Sequence, residues 1–320
     1  MRAETIGLSG NRQSVIYRAG EGPPLVWLHS LYGVEADAPV IDRLSERYSV
    51  VAPLAPGFAD LEELERIRDI HDLALHYDDV LEALQLEHVV AGGHSFGAMI
   101  AAELAAHVPN RVSRLVLLSP LGLWNDAYPV ADLFGVPPAE VAGLLYANPA
   151  RAPGSGAQLD LESVIALVKG MTTVARFLWP IPDRGLARRL HRVKAPTLVV
   201  HGAEDRFVPP GYADDFVALL PNASREIIPG AGHMLTVEAL EKTLTVVDGF
   251  LSGSPKSAGA APRSEVAPPV AVDALFDARR HPELWEVTSG SARGEAEAQP
   301  GSGVAAPAPT DRRGDGSVPQ

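Results

Sequence analysis

A short β-branched run, Leu86-Glu87-His88-Val89-Val90-Ala91, opens directly onto Gly92-Gly93-His94-Ser95-Phe96-Gly97-Ala98. That turn opens in its own turn onto Met99 to His107, a strong helix former ended by Pro109. Strand, tight turn and helix in this order place a serine inside Gly-x-Ser-x-Gly at the end of an apolar run. A serine hydroxyl is a poor nucleophile in water, so chemistry requires it on a sharp, exposed turn beside a base and beside donors for the oxyanion that forms. Gly93 and Gly97 leave room for a strained backbone at Ser95, and the helix starting near Phe96 aims its free N–H groups at the same point. The five-residue pattern is common by chance; its setting gives it weight.

The same alternation runs along most of the chain. Thr5 to Leu8 and Ser14 to Tyr17 read as two strands joined by Ser9-Gly10-Asn11. Leu25 to His29, Tyr48 to Ala52, His88 to Ala91, Arg114 to Leu118, Pro196 to His201 and Arg225 to Ile228 read as further strands, with helices at Ala38 to Arg47 and around Ala74 to Leu84. Apolar strands alternating with helices imply an α/β fold with a mostly parallel twisted sheet covered on both faces. Functional residues then belong at the carboxyl ends of the strands. Between Leu118 and Pro196 no strand is predicted. Helical segments at Glu140 to Tyr146 and Leu159 to Trp179 read as an inserted helical cap, with Ile165, Val168, Met171, Phe177 and Leu178 as the apolar positions that pack it onto the sheet. The expected organisation is a core of residues 1–120 and 194–251, a cap over 121–193 and a tail over 252–320.

Gly, Ala, Pro and Ser make up more than half of that tail, a composition that cannot bury enough surface to offset its ordering entropy, so it is read as disordered. Within it Leu275, Phe276, Leu284 and Trp285 read as scattered hydrophobes, with a short docking segment for a protein partner as the alternative, which nothing else in the sequence supports. The net charge of −13 argues against nucleic acid or an anionic membrane, because phosphate neutralisation needs clustered Lys and Arg. Without cysteine, disulfides, thiolate metal sites and a cysteine nucleophile are excluded. The first residues, Met1-Arg2-Ala3-Glu4-Thr5-Ile6, lack the apolar region of a secretory signal, and no stretch approaches a membrane span, so a cytoplasmic protein acting on a small molecule is expected.

A serine nucleophile needs a base and an orienting acid at other strand ends. The strand ending at His201 runs into Gly202-Ala203-Glu204-Asp205, and the last strand runs into Gly230-Ala231-Gly232-His233. Asp205 is the candidate acid and His233 the candidate base. Ser95, Asp205 and His233 then follow one another along the chain, each just after a predicted strand. Phe96 N–H supplies one oxyanion donor and Leu31 N–H, after the strand Leu25 to His29, supplies the other. His29, Tyr32 and His94, with Trp124, Phe177 and Trp179 from the cap, are candidates for the substrate pocket. Nothing in this scheme calls for a metal or a cofactor.

Over residues 5–251 these motifs resemble the α/β-hydrolase fold superfamily. Gly93-His94-Ser95-Phe96-Gly97 resembles its nucleophile elbow, Ala195 to Val199 with Gly202 and Asp205 its acid strand and loop, and Gly230 to His233 its histidine loop. Ala52 to Phe58 resembles the turn that follows its fourth strand. Three positions depart from the pattern: Ser30 and Ala98 stand where relatives have glycine, and Leu54 where many have Asp. Serine at Ser30 costs on the order of 1 kcal/mol unless the loop avoids positive φ there. The resemblance implies a hydrolase. A serine at the elbow argues against the epoxide and haloalkane relatives, which attack with aspartate, and leaves carboxylic ester hydrolysis through an acyl-serine as the expected reaction. Carbon–carbon bond hydrolysis, lactone or perhydrolase chemistry on the same triad, and a low-turnover binding or signalling role, remain the alternatives.

Overall fold

A computed structural model describes residues 1–152, 161–179 and 182–253. The tail reading, and with it Leu275, Phe276, Leu284 and Trp285, lies outside the described residues. Eight strands form one sheet in the order β1-β2-β4-β3-β5-β6-β7-β8. β1 (Arg2–Leu8) and β2 (Arg12–Ala19) form an antiparallel hairpin, and β2 pairs antiparallel with β4 (Ser49–Pro53). The other pairings are parallel, through β3 (Pro24–Leu28), β5 (Val89–His94), β6 (Val112–Leu118), β7 (Thr197–Gly202) and β8 (Ala223–Ile228).

Alternate residues of the central strands serve two different cores, as a two-residue period requires. Val26, Leu28, Ala91, Leu115, Leu117 and Val199 join one apolar cluster; Leu25, Trp27, Val50, Val116, Leu118 and Val200 join the other. The first is filled by α2 (Ile70–Ala83) and α3 (Phe96–His107), the second by α1 (Ala38–Ser45) and the C-terminal helix (Leu240–Ser252). α3 is buried around its whole circumference from Phe96 to Ala106, with alanines interleaved among Phe96, Met99, Ile100 and Leu104 where it packs between the sheet and α2. α2 starts earlier than its apolar periodicity suggests, because the Asp69 carboxylate accepts from the N–H groups of His71 and Asp72 and supplies the cap.

Between β6 and β7 lie α4 (Pro138–Leu145) and α5 (Leu161–Leu178). One expectation fails on α5. Ile165 and Val168 are 47% and 57% exposed, so they do not pack the insertion onto the sheet. The buried stripe is instead Gly170, Thr173, Val174, Phe177 and Leu178, spaced as one helical face. Gly170 sets that face: a Cβ there would stand 3.0 Å from the Leu31 carbonyl and 2.9 Å from the Phe58 ring. Among the described residues, no helix is long and apolar enough to cross a membrane.

Candidate active site

The parallel register aligns the carboxyl ends of β3, β5, β6 and β7, pairing Leu28 with Gly93, His94 with Leu118, and Leu118 with Val200. The chain leaves β5 through Ser95, whose φ of 58° and ψ of −117° are strained for a residue with a Cβ. Ser95 N–H donates to the Leu118 carbonyl at 2.8 Å, which pins the turn to the neighbouring strand. Glycine at 93 and 97 follows from close approach. A Cβ on Gly93 would lie 2.6 Å from the Gly97 carbonyl, and one on Gly97 would lie 2.0 Å from the Leu28 carbonyl.

Three of the residues singled out above meet at this turn. His233 Nε2 lies 2.7 Å from Ser95 Oγ, and His233 Nδ1 lies 2.8 Å from Asp205 Oδ2. Asp205 Oδ1 accepts from the N–H groups of Phe207 and Val208, at 3.0 and 2.9 Å. His201, at the end of β7, adds a fourth contact, its Nε2 lying 3.2 Å from Asp205 Oδ2 and 2.8 Å from the Val208 carbonyl. Burial works to push the Asp205 carboxyl up, but the charge of His233 and the hydrogen bonds from His201 and His233 outweigh it. They hold the group well below the usual carboxylate range. Acting in concert, these donors leave Asp205 ionised with its lone pairs filled, so His233 Nδ1 carries the hydrogen and Nε2 is free to accept from the serine.

The loop after β3, the candidate oxyanion loop, is fixed by its own histidine. His29 Nε2 accepts from Ala55 N–H at 2.9 Å, so its hydrogen sits on Nδ1 and is donated to the Ser30 carbonyl at 2.7 Å. Burial pushes the His29 imidazole below its ordinary value, in keeping with a neutral ring. Both nitrogens of His29 therefore serve the backbone, and its ring packs edge-on against Phe58. The loop turns on Gly33, at φ 89°, and Ser30 is not at positive φ, so serine at that position carries no strain. Among the described residues, neither Leu31 N–H nor Phe96 N–H has a hydrogen-bond acceptor.

The pocket candidates divide. Phe177 is buried and stacks on Phe96 at 6.0 Å between centroids. Trp124 and Trp179 line a cleft of about 100 Å³ with Leu121, Leu133, Phe134 and Phe207, and the Phe207 ring packs edge-on against His233 at 4.8 Å. Tyr32 is half-buried beside the oxyanion loop. His94 turns away from that cleft, its Nε2 lying 2.9 Å from the His233 carbonyl.

Two groups escaped the sequence reading. Glu238 accepts from Gly232, Ala147 and Asn148 N–H groups at 2.8 to 2.9 Å and so ties the histidine loop to the end of α4. His201 looked like the last residue of a buried strand, and no spacing in the sequence relates it to Asp205.

Residues 22–246, more than half of the chain, match the model of the alpha/beta hydrolase family. The chain belongs to that family. Its relatives include 2-hydroxy-6-oxo-2,4-heptadienoate hydrolase of Pseudomonas putida, 25% identical over an alignment of 261 positions that covers 77% of this chain and 95% of that protein. The hydrolase is also 29% identical, over 83% of its own length, to a stretch of the polyketide synthase ThaQ of Burkholderia thailandensis; it spans 13% of that much longer protein. Among solved structures, naproxen esterase of Bacillus subtilis shares the fold with a TM-score of 0.61 and 21% identity, over 78% of this chain and 92% of that one.

Burial pushes the His233 imidazole below its ordinary value; Asp205 works the other way, while His94 and His201 add to the lowering. As the candidate base, His233 must be neutral to act, so kcat/KM of the hydrolase is expected to rise with pH through a midpoint below about 6.5, the unperturbed imidazole value. A kcat/KM profile over mildly acidic to mildly alkaline buffers checks this. A midpoint well above 7 would contradict it.

Proposed function

We propose that this hydrolase cleaves a small, apolar carboxylic ester through an acyl-serine intermediate. The observation that carries the reading is the unbroken contact from Ser95 Oγ through His233 to Asp205. Ser95 Oγ attacks the ester carbonyl while its proton passes to His233 Nε2. The alcohol leaves with that proton, and water, activated by the same nitrogen, releases the acid and restores the serine. Leu31 and Phe96 N–H groups stabilise the oxyanion in both steps.

Size and polarity support the substrate class. The cleft beside Phe207 is small, and its walls are mainly Leu and aromatic side chains, which suits a short apolar acyl or alcohol group. Ser95 and His233 are fully buried, and α5 lies over the oxyanion loop, so a substrate enters by displacing part of the insertion. A second reading, hydrolysis of a carbon–carbon bond beside a carbonyl, is favoured by the name of the Pseudomonas putida relative and would use the same three residues. That name describes a carboxylate. Among the described residues no Lys or Arg is buried, and the buried acids beside the site are Asp37 and Asp205, which suits a neutral ester better than an anion.

The test combines a fluorophosphonate probe with a substrate panel. The probe is expected to label Ser95, and p-nitrophenyl acetate and butyrate to turn over faster than lactones, thioesters or a ring-fission dienoate. An unlabelled Ser95 would sink the serine-hydrolase reading, and a preference for the dienoate would replace the ester with the carbon–carbon bond.

A further inference from the structure

Behind Ser95 lies a second buried acid and histidine that the triad does not use. Asp37 stands just before α1, where an aspartate ordinarily caps a helix, yet its side chain makes no capping bond and is fully buried. Its Oδ2 accepts from Trp27 Nε1 at 2.9 Å and from Ser30 N–H at 3.0 Å. Its Oδ1 has no hydrogen-bond partner among the described residues and faces His94 Nδ1, which also has none, at 3.8 Å. The other nitrogen of that ring, His94 Nε2, lies 2.9 Å from the His233 carbonyl.

A carbonyl only accepts, so His94 Nε2 carries a hydrogen. Nδ1 and Asp37 Oδ1 then face each other away from water as two acceptors, and one hydrogen held between them relieves both. We infer that Asp37 and His94 form a buried acid–histidine pair that positions the oxyanion loop and His233 around Ser95.

The reach of the pair follows from its contacts. Asp37 holds Ser30, next to the Leu31 donor, while His94 precedes the nucleophile and holds the backbone of the base. Burial works to raise the Asp37 carboxyl, but the neighbouring His94 ring and the Trp27 bond hold it below its ordinary value. The His94 and His233 rings are 5.6 Å apart, and His94 adds to the lowering of the His233 imidazole. The titratable groups around the pair are His29 and His233; those facing His233 are Asp205, His201 and His94.

What is positioned rests on the serine-hydrolase reading, whereas the pair itself does not, and the test separates the two. Histidine 15N NMR of the full-length wild-type protein is expected to show His94 Nε2 carrying a hydrogen, as its contact with the His233 carbonyl requires; a His94 with its hydrogen on Nδ1 alone overturns the inference. Asp37→Asn and His94→Gln should still label with fluorophosphonate, with kcat lowered about 10- to 100-fold and KM little changed. In His94→Gln the acid limb of kcat/KM should move up, because the lowering influence of His94 on His233 is lost. A lower Tm with an unmoved limb would reduce the pair to packing and overturn its positioning role. Were wild-type Ser95 itself unlabelled, the serine-hydrolase reading and the positioning role would fall together, while the NMR result would still decide the pair. If both variants fail to fold, the wild-type NMR decides alone.

Discussion

Replacing Ser95 with glycine is expected to abolish turnover and raise the melting temperature in the same protein. Ser95 sits at φ 58° and ψ −117°, a region open to glycine that costs other residues about 1–3 kcal/mol. Glycine removes that strain and loses about 0.5–1 kcal/mol through the greater freedom of the unfolded chain, which leaves a gain of about 1 kcal/mol. For a folded unit of this size that is a Tm increase of about 2–4 °C. Ser95→Ala provides the control. Both variants lose the hydroxyl and its contact with His233, and both should lose about 10⁴-fold or more in kcat, but alanine keeps the strained backbone. Differential scanning calorimetry of the two variants separates nucleophile from strain. A glycine variant that melts no higher than the alanine one would show that the turn stores no strain.

That coupling explains why the elbow was so legible in the sequence while the rest of the site was less so. Gly93 and Gly97 are dictated by carbonyl groups that leave no space for a Cβ, and a steric demand of that kind leaves a residue pattern behind. The parallel strands were equally legible, because strands covered on both faces must be continuously apolar. Asp205 and His233 could be found from their places after β7 and β8. Asp37 could not. An aspartate one residue before a helix looks like an N-cap, and only the fold reveals that this side chain turns inward to Trp27 and Ser30 instead. The outer face of α5 misled for the opposite reason: Ile165 and Val168 carry helical periodicity, but nothing in a period says which apolar face meets the sheet. Local demands are written locally, whereas contacts between distant loops, such as Glu238 with Ala147 or His201 with Asp205, have no local signature.

Asp205→Asn should lower kcat by roughly 10⁴-fold while leaving Ser95, His233 and the oxyanion loop in place. The argument is one of hydrogen-bond direction. Asp205 Oδ1 accepts two backbone N–H groups, from Phe207 and Val208, so the asparagine oxygen must occupy that position. The amide nitrogen then replaces Oδ2 and points its hydrogens at His233 Nδ1 and His201 Nε2, both of which had been donating there. His233 can satisfy the new donor only by moving its own hydrogen from Nδ1 to Nε2. In that tautomer Nε2 faces Ser95 Oγ with a hydrogen rather than a lone pair and cannot take the serine proton. His201 has no such escape, because the Val208 carbonyl requires its Nε2 to remain a donor, so the variant also loses stability. At high pH the asparagine variant should recover part of its rate, as hydroxide replaces the lost base. Measuring kcat of wild type and variant from neutral to alkaline pH checks the whole chain of reasoning. A loss of less than about tenfold at neutral pH would mean that Asp205 does not set the tautomer of His233.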